Sequence, residues 1–406
     1  MNPIFSIIIP CRNNASSLKD TIQTILNNDY YSYEIIICDN NSVDNTGQIV
    51  SDFKNKKIKY FNSESDLSMS ENWERGLDYI NGDYLFYLGG DDGLVKDCFK
   101  KAIYIFNKYS CEILSWEKPN FQWPSAIYKP NAIKLNKKDF LIKMNPKKNL
   151  LNVLRGNLSY GYLPSIYNSF VKSSFVRELK KNNNIFFKGI HPDIYSSLIL
   201  STMATNQIYY LNGLSINGAS EQSNGLNNCQ GDNLDHSINF FQSSIHSKMS
   251  NSFPSITGLP SSYVLDSLSV FTENYPSYLK FLNSTKYINN IINELVRIRP
   301  GQIRKVVCQE FFDKYNLKEN QKKISNSISE SKKFISKKLS EKIININAES
   351  YEINLNQVKD LNIIDAQDII YRTQRNNENE LILIGKLRWK IKKLFLRIIH
   401  IIETKI

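Results

Sequence analysis

Tyr84-Leu85-Phe86-Tyr87-Leu88 is an apolar, aromatic run that ends abruptly in Gly89-Gly90-Asp91-Asp92-Gly93. Such a run reads as a buried strand. Two adjacent carboxylates at its carboxyl end form a hard, all-oxygen pair, suited to Mg²⁺ or Mn²⁺ held jointly with substrate phosphates. The flanking glycines let the backbone turn tightly and let a bulky ligand come close. Asp and Gly are also ordinary turn residues, so a plain surface turn accounts for the same residues. A second candidate is Asp193. Pro192 suits the first turn of a helix, which places Asp193 at that helix's N-terminus. There it either complements the helix dipole or is available to take a proton. His191 beside it is a rival base or a structural turn histidine. A third candidate is the block Gly218, Ser220, Ser223, Asn224 and Gly225, whose small hydroxyl and amide groups suit hydrogen bonds to sugar or phosphate, or else form a flexible loop.

These residues need a scaffold, and the first ninety positions describe one. Phe5-Ser6-Ile7-Ile8-Ile9 is β-branched and continuous, as a strand buried on both faces is. Pro10 stops it, and Cys11-Arg12-Asn13-Asn14 turns into a helix with Leu18, Ile22, Ile25 and Leu26 at helical spacing, capped by Ser16 or Ser17. Tyr33 to Cys38 is a second strand, with Asp39-Asn40-Asn41-Ser42 just past its end. Asp44 caps the next helix, and Ile58 to Phe61 is a short third strand. A helix carrying Met69, Trp73, Leu77 and Ile80 then leads to Tyr84. Strands alternating with helices imply a doubly wound, mostly parallel α/β sheet. Ligands of such sheets bind beyond the carboxyl ends of the strands, which puts Asn13, Asp39 and the Asp91-Asp92 pair on one rim. The Cys11–Asn14 turn contains no glycine, which argues against a P-loop or an NAD-type Rossmann domain.

Ser6-Ile7-Ile8-Ile9-Pro10, the block Glu34 to Thr46 and the block Asn72 to Asp92 together resemble the family 2 glycosyltransferases. These are inverting, sugar-nucleotide-dependent enzymes of the GT-A fold. The resemblance covers roughly the first half of the chain. It implies that Pro10 and Arg12 line the nucleotide pocket and that Asp39 accepts a hydrogen bond from the base, usually uracil. Asn13 of the turn after the first block, with Asn41 and Asn72 from the other two, completes the expected nucleotide contacts. The resemblance also places Asp91, with Asp92 beside it, in an Asp-any-Asp metal motif for Mn²⁺ or Mg²⁺; here the first position of that motif is Gly89. Asp193 stands where the family carries its general base. His191, Ser220, Ser223 and Asn224 are the expected acceptor contacts, and the polar block resembles one found in a subset of capsule and O-antigen transferases.

Residues 117–150 read as an excursion over the sheet, Gly161 to Val171 as a strand beneath the site, and 208–225 as a strand followed by the polar block. The expected divisions are 1–235 (1–93 for the nucleotide sugar, 94–235 for the acceptor), a mainly helical region 236–385, and 386–406. In this last segment Leu387, Ile391, Leu394, Phe395, Ile398 and Ile402 form an apolar stripe flanked by Lys386, Lys390, Lys393 and Arg397, with Trp389 at its border. That is the pattern of an interfacial membrane helix, or of a helix docked on its own core. The 406 residues carry a net charge of +12, with a pI of about 9.1. Such excess fits phosphorylated substrates, an anionic membrane or nucleic acid. No zinc-finger or RNA-recognition signature supports the last, and a sugar-phosphate nucleotidyltransferase lacks its Gly/Arg-rich loop here. Six scattered cysteines, no basic n-region at the start and no apolar stretch of about 20 residues lead us to expect a cytoplasmic protein, peripheral on the inner face of the membrane. The expected partners are a nucleotide-sugar donor and a glycan or lipid-linked glycan acceptor, with no nucleic acid.

Overall fold

The computed structural model describes residues 5–124, 132–136, 141–182, 184–220, 259–297, 350–354 and 362–378. In chain order the first half contains β1 (Phe5–Cys11), α1 (Leu18–Leu26), β2 (Tyr33–Asp39), α2 (Thr46–Asp52), β3 (Ile58–Asn62), α3 (Met69–Gly76), β4 (Tyr84–Tyr87), β5 (Gly93–Leu94), α4 (Cys98–Tyr109) and β6 (Ile113–Trp116). There follow β7 (Asn120–Gln122), β8 (Ala132–Asn136), β9 (Leu141–Met144), α5 (Pro146–Leu154), β10 (Ser169–Lys172), α6 (Ser173–Lys181), α7 (Pro192–Met203), β11 (Gln207–Tyr210) and β12 (Ser215–Ala219). The remaining described elements are α8 (Pro260–Asn274), α9 (Ser284–Arg297), β13 (Ser350–Asn354) and α10 (Ile363–Glu378).

Eight strands form the central sheet in the order β3-β2-β1-β4-β10-β6-β11-β9. β3, β2, β1 and β4 are parallel neighbours, as are β6 and β11, while β10 runs antiparallel to both β4 and β6. Two antiparallel steps restore direction, so β6 ends on the same edge as β1, β2 and β4. β10, reversed, begins there. This is the mostly parallel, doubly wound α/β sheet that the strand–helix alternation implies.

The isoleucine runs are continuous because both faces are covered. Ile7 and Ile9 of β1, Ile35 and Ile37 of β2 and Phe86 of β4 pack with Leu18, Ile22 and Ile25 of α1 and Cys98, Phe99 and Phe106 of α4. The alternate residues Ile8, Ile36, Leu85 and Tyr87 face Trp73 of α3, Leu154 of α5, Val176 of α6, Leu198 of α7 and Leu268 of α8. A smaller sheet, β5-β12-β7, sits beside the end of β4, and Phe121, Trp123 and Ile216 from it pack with Ile363, Ala366 and Ile370 of α10.

Several local expectations change. Ser17 stands at the start of α1 but makes no capping bond; its hydroxyl donates instead to the Gly90 carbonyl at 2.8 Å. α4 begins only at Cys98, because Gly93–Leu94 is drawn into the small sheet. The stretch 161–171 is not one strand: single helical turns at Tyr160–Tyr162 and Ile166–Asn168 precede β10, with Ser159 and Ser165 accepting from Gly161 N–H and Tyr167 N–H. The described residues of 117–150 contribute three strands. Ser350-Tyr351-Glu352-Ile353-Asn354 alternates with period two and pairs antiparallel with β8, so the helical C-terminal region contains a strand. α10 returns to the first half: Gln367 Nε2 donates to the Thr24 and Leu94 carbonyls at 2.8 and 2.7 Å.

Candidate active site

The turn after β4 is gripped from both sides. Ser17 and Thr21 of the β1–α1 side donate to the Gly90 carbonyl, and a Cβ on Gly90 would stand 2.8 Å from the Asn14 side chain. From the far end of the chain's first half, the close of β12 lies over the carboxylates. Gly218 N–H donates to Asp92 Oδ1 at 2.7 Å, and Ser220 Oγ donates to Asp91 Oδ2 at 2.8 Å. Trp123 Nε1 donates to the Asp91 carbonyl at 2.8 Å. Gly89 N–H donates to Asp92 Oδ2 at 3.2 Å. Asp92 is therefore built into the loop, each of its oxygens taking a backbone N–H, while Asp91 Oδ2 accepts from Ser220 through its hydroxyl and, at 3.4 Å, its N–H. Ser223 and Asn224 lie outside the described residues.

The expected nucleotide residues line the same edge. Asn13 N–H donates to Ser42 Oγ at 2.8 Å, and Val43 N–H donates to Asn13 Oδ1 at 2.9 Å, so the loops after β1 and β2 are laced together. Asn13 and Asn41 both adopt φ 53°, a left-handed conformation that asparagine tolerates. Arg12 pairs with Asp66 at 2.5 Å, and Asn41 Nδ2 donates to the other oxygen of Asp66 at 3.0 Å. Pro10 is partly exposed at the end of β1. Asp39 is 1% exposed and accepts from Ser42 and, at 2.6 Å, from the Tyr60 hydroxyl. Asn72 departs from its expected place as a nucleotide contact. It is buried, its amide donates to the Cys38 carbonyl at 3.0 Å, and its oxygen accepts from Arg75 at 2.7 Å. Its polar groups bracket β2 to α3.

Asp193 lies in the first turn of α7, directly after Pro192, and is partly exposed. Burial raises its carboxyl above the usual carboxylate range, opposed by the Ile194 N–H and by the Lys118 ammonium. The loop before it is anchored by α3. Ser70 Oγ donates to the Gly189 carbonyl at 2.5 Å, and the Phe186 and Phe187 N–H groups donate to Glu74 Oε2 at 3.0 and 2.8 Å. His191 goes elsewhere. Its ring packs 4.1 Å from that of Tyr263 on α8, and burial pushes its pKa down to about 3, so it stays neutral and is a feeble base.

Two further residues join the cluster, and neither was singled out from sequence. Burial lowers the pKa of the Lys118 ammonium, opposed by the nearby charges of Asp92, Asp193 and Asp91. The ammonium stands 3.9 Å from the ring centre of Tyr167. The Tyr167 hydroxyl bonds Asp92, and it occupies the space into which a side chain at position 89 would grow, 2.2 Å from where a Cβ on Gly89 would stand. Gly89, where the metal motif has its first acid, is small because Tyr167 fills that place. Sequence contained a usable signal for Lys118. It lies two positions past β6, whose carboxyl end shares the rim with β1, β2 and β4. Tyr167 had no such signal, since it precedes a strand that runs the other way.

Among the described residues no group of three or more His, Cys, Asp or Glu side chains could cage a metal ion. The donors present, the Asp91 carboxylate with the Ser220 hydroxyl beside it, fit instead a Mg²⁺ or Mn²⁺ ion shared with substrate phosphates, the usual manner for these hard cations.

A family model for glycosyl transferase family 2 matches residues 6–161. An uncharacterised glycosyltransferase of Haemophilus influenzae is 24% identical over 206 residues, 50% of this chain and 78% of that protein. The UDP-Glc:alpha-D-GlcNAc-diphosphoundecaprenol beta-1,3-glucosyltransferase of Escherichia coli is 25% identical over 210 residues, 52% of this chain and 73% of its own length. The GalNAc(5)-diNAcBac-PP-undecaprenol beta-1,3-glucosyltransferase of Campylobacter jejuni is 34% identical over 96 residues, 23% of this chain and 31% of that protein. The span matched by the family model carries Asp39, Asp91, Asp92 and Lys118, and Asp193 lies beyond it. Residues 6–161, which supply most strands of the doubly wound sheet, thus match glycosyl transferase family 2.

Proposed function

We propose that the protein is an inverting transferase that moves a sugar from a nucleotide diphosphate, UDP by preference, onto a hydroxyl of a glycan or lipid-linked glycan. The pathway is synthesis of a bacterial surface polysaccharide of the capsule or O-antigen type. One observation carries the reading: Asp193 and the buried Asp91-Asp92 turn, far apart in sequence, both act on the partly exposed Lys118 and Tyr167. The E. coli and C. jejuni relatives, whose names specify undecaprenol-linked acceptors and in one case UDP-glucose, support the substrate classes.

In this reading the Asp193 carboxylate takes the proton of the acceptor hydroxyl as its oxygen attacks C1 of the donor sugar. The bond from C1 to the diphosphate oxygen breaks on the opposite face, which inverts the configuration. Its raised pKa makes Asp193 a stronger base than a surface aspartate, and α3 fixes its approach through Glu74 and Ser70. A divalent ion on Asp91, when bound, supplies positive charge to the leaving diphosphate. Asp39 and the laced loops of Arg12, Asn13 and Asn41 would receive the base and ribose, and Ser220 with Ser223 and Asn224 the acceptor. The donor half would be residues 1–93 and the acceptor half 94–235, followed by the helical region 236–385 and a basic segment 386–406 that holds the enzyme on the inner membrane face. Among the described residues no helix is long and apolar enough to cross a membrane. A panel of sugar nucleotides, screened for hydrolysis and thermal stabilisation with and without Mn²⁺, tests the reading. If none is consumed and none stabilises the protein, the proposal fails.

A further inference from the structure

The charge balance of the cluster is unusual for a site that must receive a diphosphate. Three carboxylates, Asp91, Asp92 and Asp193, lie near enough to act electrostatically on one ammonium, Lys118. Fully ionised, that is a net negative site, and a diphosphate entering it meets like charge. The family's answer is a cation held by two acids, but here the first acid is Gly89 and Asp92 is consumed by the loop. A single carboxylate, Asp91, gives a weaker hold on Mg²⁺ or Mn²⁺ than two do.

Lys118 is positioned to make up the difference. Its backbone is pinned on both sides. Glu117 N–H donates to the Tyr210 carbonyl at 3.0 Å, Asn168 Nδ2 donates to the Trp116 carbonyl at 2.9 Å, and Asn217 N–H donates to the Pro119 carbonyl at 2.8 Å. Pro119 packs so close to Gly213 that a Cβ there would stand 2.3 Å from the proline ring. The side chain then leaves a rigid corner at the strand-end rim and reaches the Tyr167 ring, whose hydroxyl lies against Gly89. The ammonium is thus delivered beside the position where the missing first acid would have held metal. Lys118 and Tyr167 are both partly exposed, so an incoming ligand can reach them. A lysine ammonium is a compact point charge with three donors on a flexible stem, able to leave a carboxylate for a phosphate oxygen.

We propose that Lys118 is a protein-borne cation for the donor diphosphate, resting against the Tyr167 ring beside the aspartates in the free enzyme and turning to the phosphate oxygens when donor binds, so that nucleoside diphosphate binding does not depend wholly on divalent metal. This rests on the glycosyltransferase reading and adds to it a residue that holds the donor.

The test is equilibrium binding of UDP, with GDP alongside, and of UMP as the monophosphate control. Each is measured in EDTA and in Mn²⁺ on wild type, Lys118→Met and Lys118→Arg. Wild type should bind UDP in EDTA and prefer it to UMP. Lys118→Met, which keeps length and removes charge, should lose roughly tenfold or more of UDP affinity in EDTA and most of the UDP-over-UMP preference, while UMP affinity changes little. Lys118→Arg should keep the preference. A structural role for Lys118 would weaken UDP and UMP alike. If wild type binds UDP only with Mn²⁺, or binds UDP and UMP equally in EDTA, or if Lys118→Met keeps the preference, Lys118 is not the donor's cation and the transferase reading stands. If Lys118→Met fails to fold, the wild-type comparison in EDTA still decides. If wild type binds neither UDP nor GDP under any condition, the nucleotide reading falls, and this inference with it.

Discussion

Gly218 lies against the backbone of Asp91 so closely that a Cβ on Gly218 would stand 1.7 Å from the Asp91 carbonyl oxygen. Its N–H meanwhile donates to Asp92 at 2.7 Å. The end of β12 and the turn after β4 therefore form one rigid body, and Ser220 reaches Asp91 only because position 218 has no side chain. Gly218→Ala should push the strands apart and lower stability by about 1–3 kcal/mol, the usual cost of overpacking a rigid contact. It should also weaken donor binding, because Ser220 moves with the strand. Thermal melting and UDP titration check both. A mutant with wild-type melting temperature and affinity would show that the contact yields freely.

Asp91→Asn should leave the melting temperature close to wild type and remove the Mn²⁺-dependent part of donor affinity, a loss of roughly tenfold or more. The expectation follows from Asp91 standing at the end of β4 with the Ser220 hydroxyl beside it. Binding of UDP with an unchanged Mn²⁺ dependence would move the metal site elsewhere.

Asp193→Asn should cost about 10²–10⁴-fold in transfer, the range of a general base, with donor binding nearly intact. The pH profile carries a sign. Burial raises the carboxyl, and only the ionised form accepts a proton, so transfer should fall as pH drops through a value above the ordinary carboxylate range of about 4. Asp193→Asn should lose that limb. His191→Ala is the control: a neutral ring packed on Tyr263 has no proton role, so its pH profile should match wild type. A twofold loss for Asp193→Asn would sink the assignment.

Asp39→Ala should weaken UDP binding and blur the preference for UDP over GDP. Asp39 also bonds Ser42 and Tyr60, so its removal loosens the loop after β2. The ratio of the two affinities separates these effects, because loop slackening alone weakens both nucleotides. An unchanged ratio counts against a base contact.

Removing residues 386–406 should release the protein from anionic liposomes while transfer to a short soluble acceptor persists. The segment's basic residues would each contribute about 1 kcal/mol at an anionic leaflet. Sedimentation of full-length and truncated protein decides it. If neither form pellets, the apolar stripe serves some other surface.

Period and punctuation alone determined the strand–helix order of the first ninety residues. Ile7–Ile9 and Ile35–Ile37 are continuous because their strands are buried on both faces, and Pro10, Asp39 and Gly89–Gly93 mark where those strands stop. Parallel strands end on one rim, so Asn13, Asp39 and Asp91 could be placed together by counting. Asp193 was legible as an acid in a proline-started turn. Local pattern could not say what surrounds these groups. Asn72 looks like any loop amide, and only its burial between Cys38 and Arg75 turns it into a bracket. Lys118 and Tyr167 meet because β10 runs against its neighbours and begins where β4 and β6 end, a pairing between segments far apart in sequence that no local period encodes. Whether Gly89 is a lost ligand or a vacated space was likewise undecidable from its own neighbours. The answer lies in the Tyr167 hydroxyl, and the chain brings that group to the site only when the sheet closes.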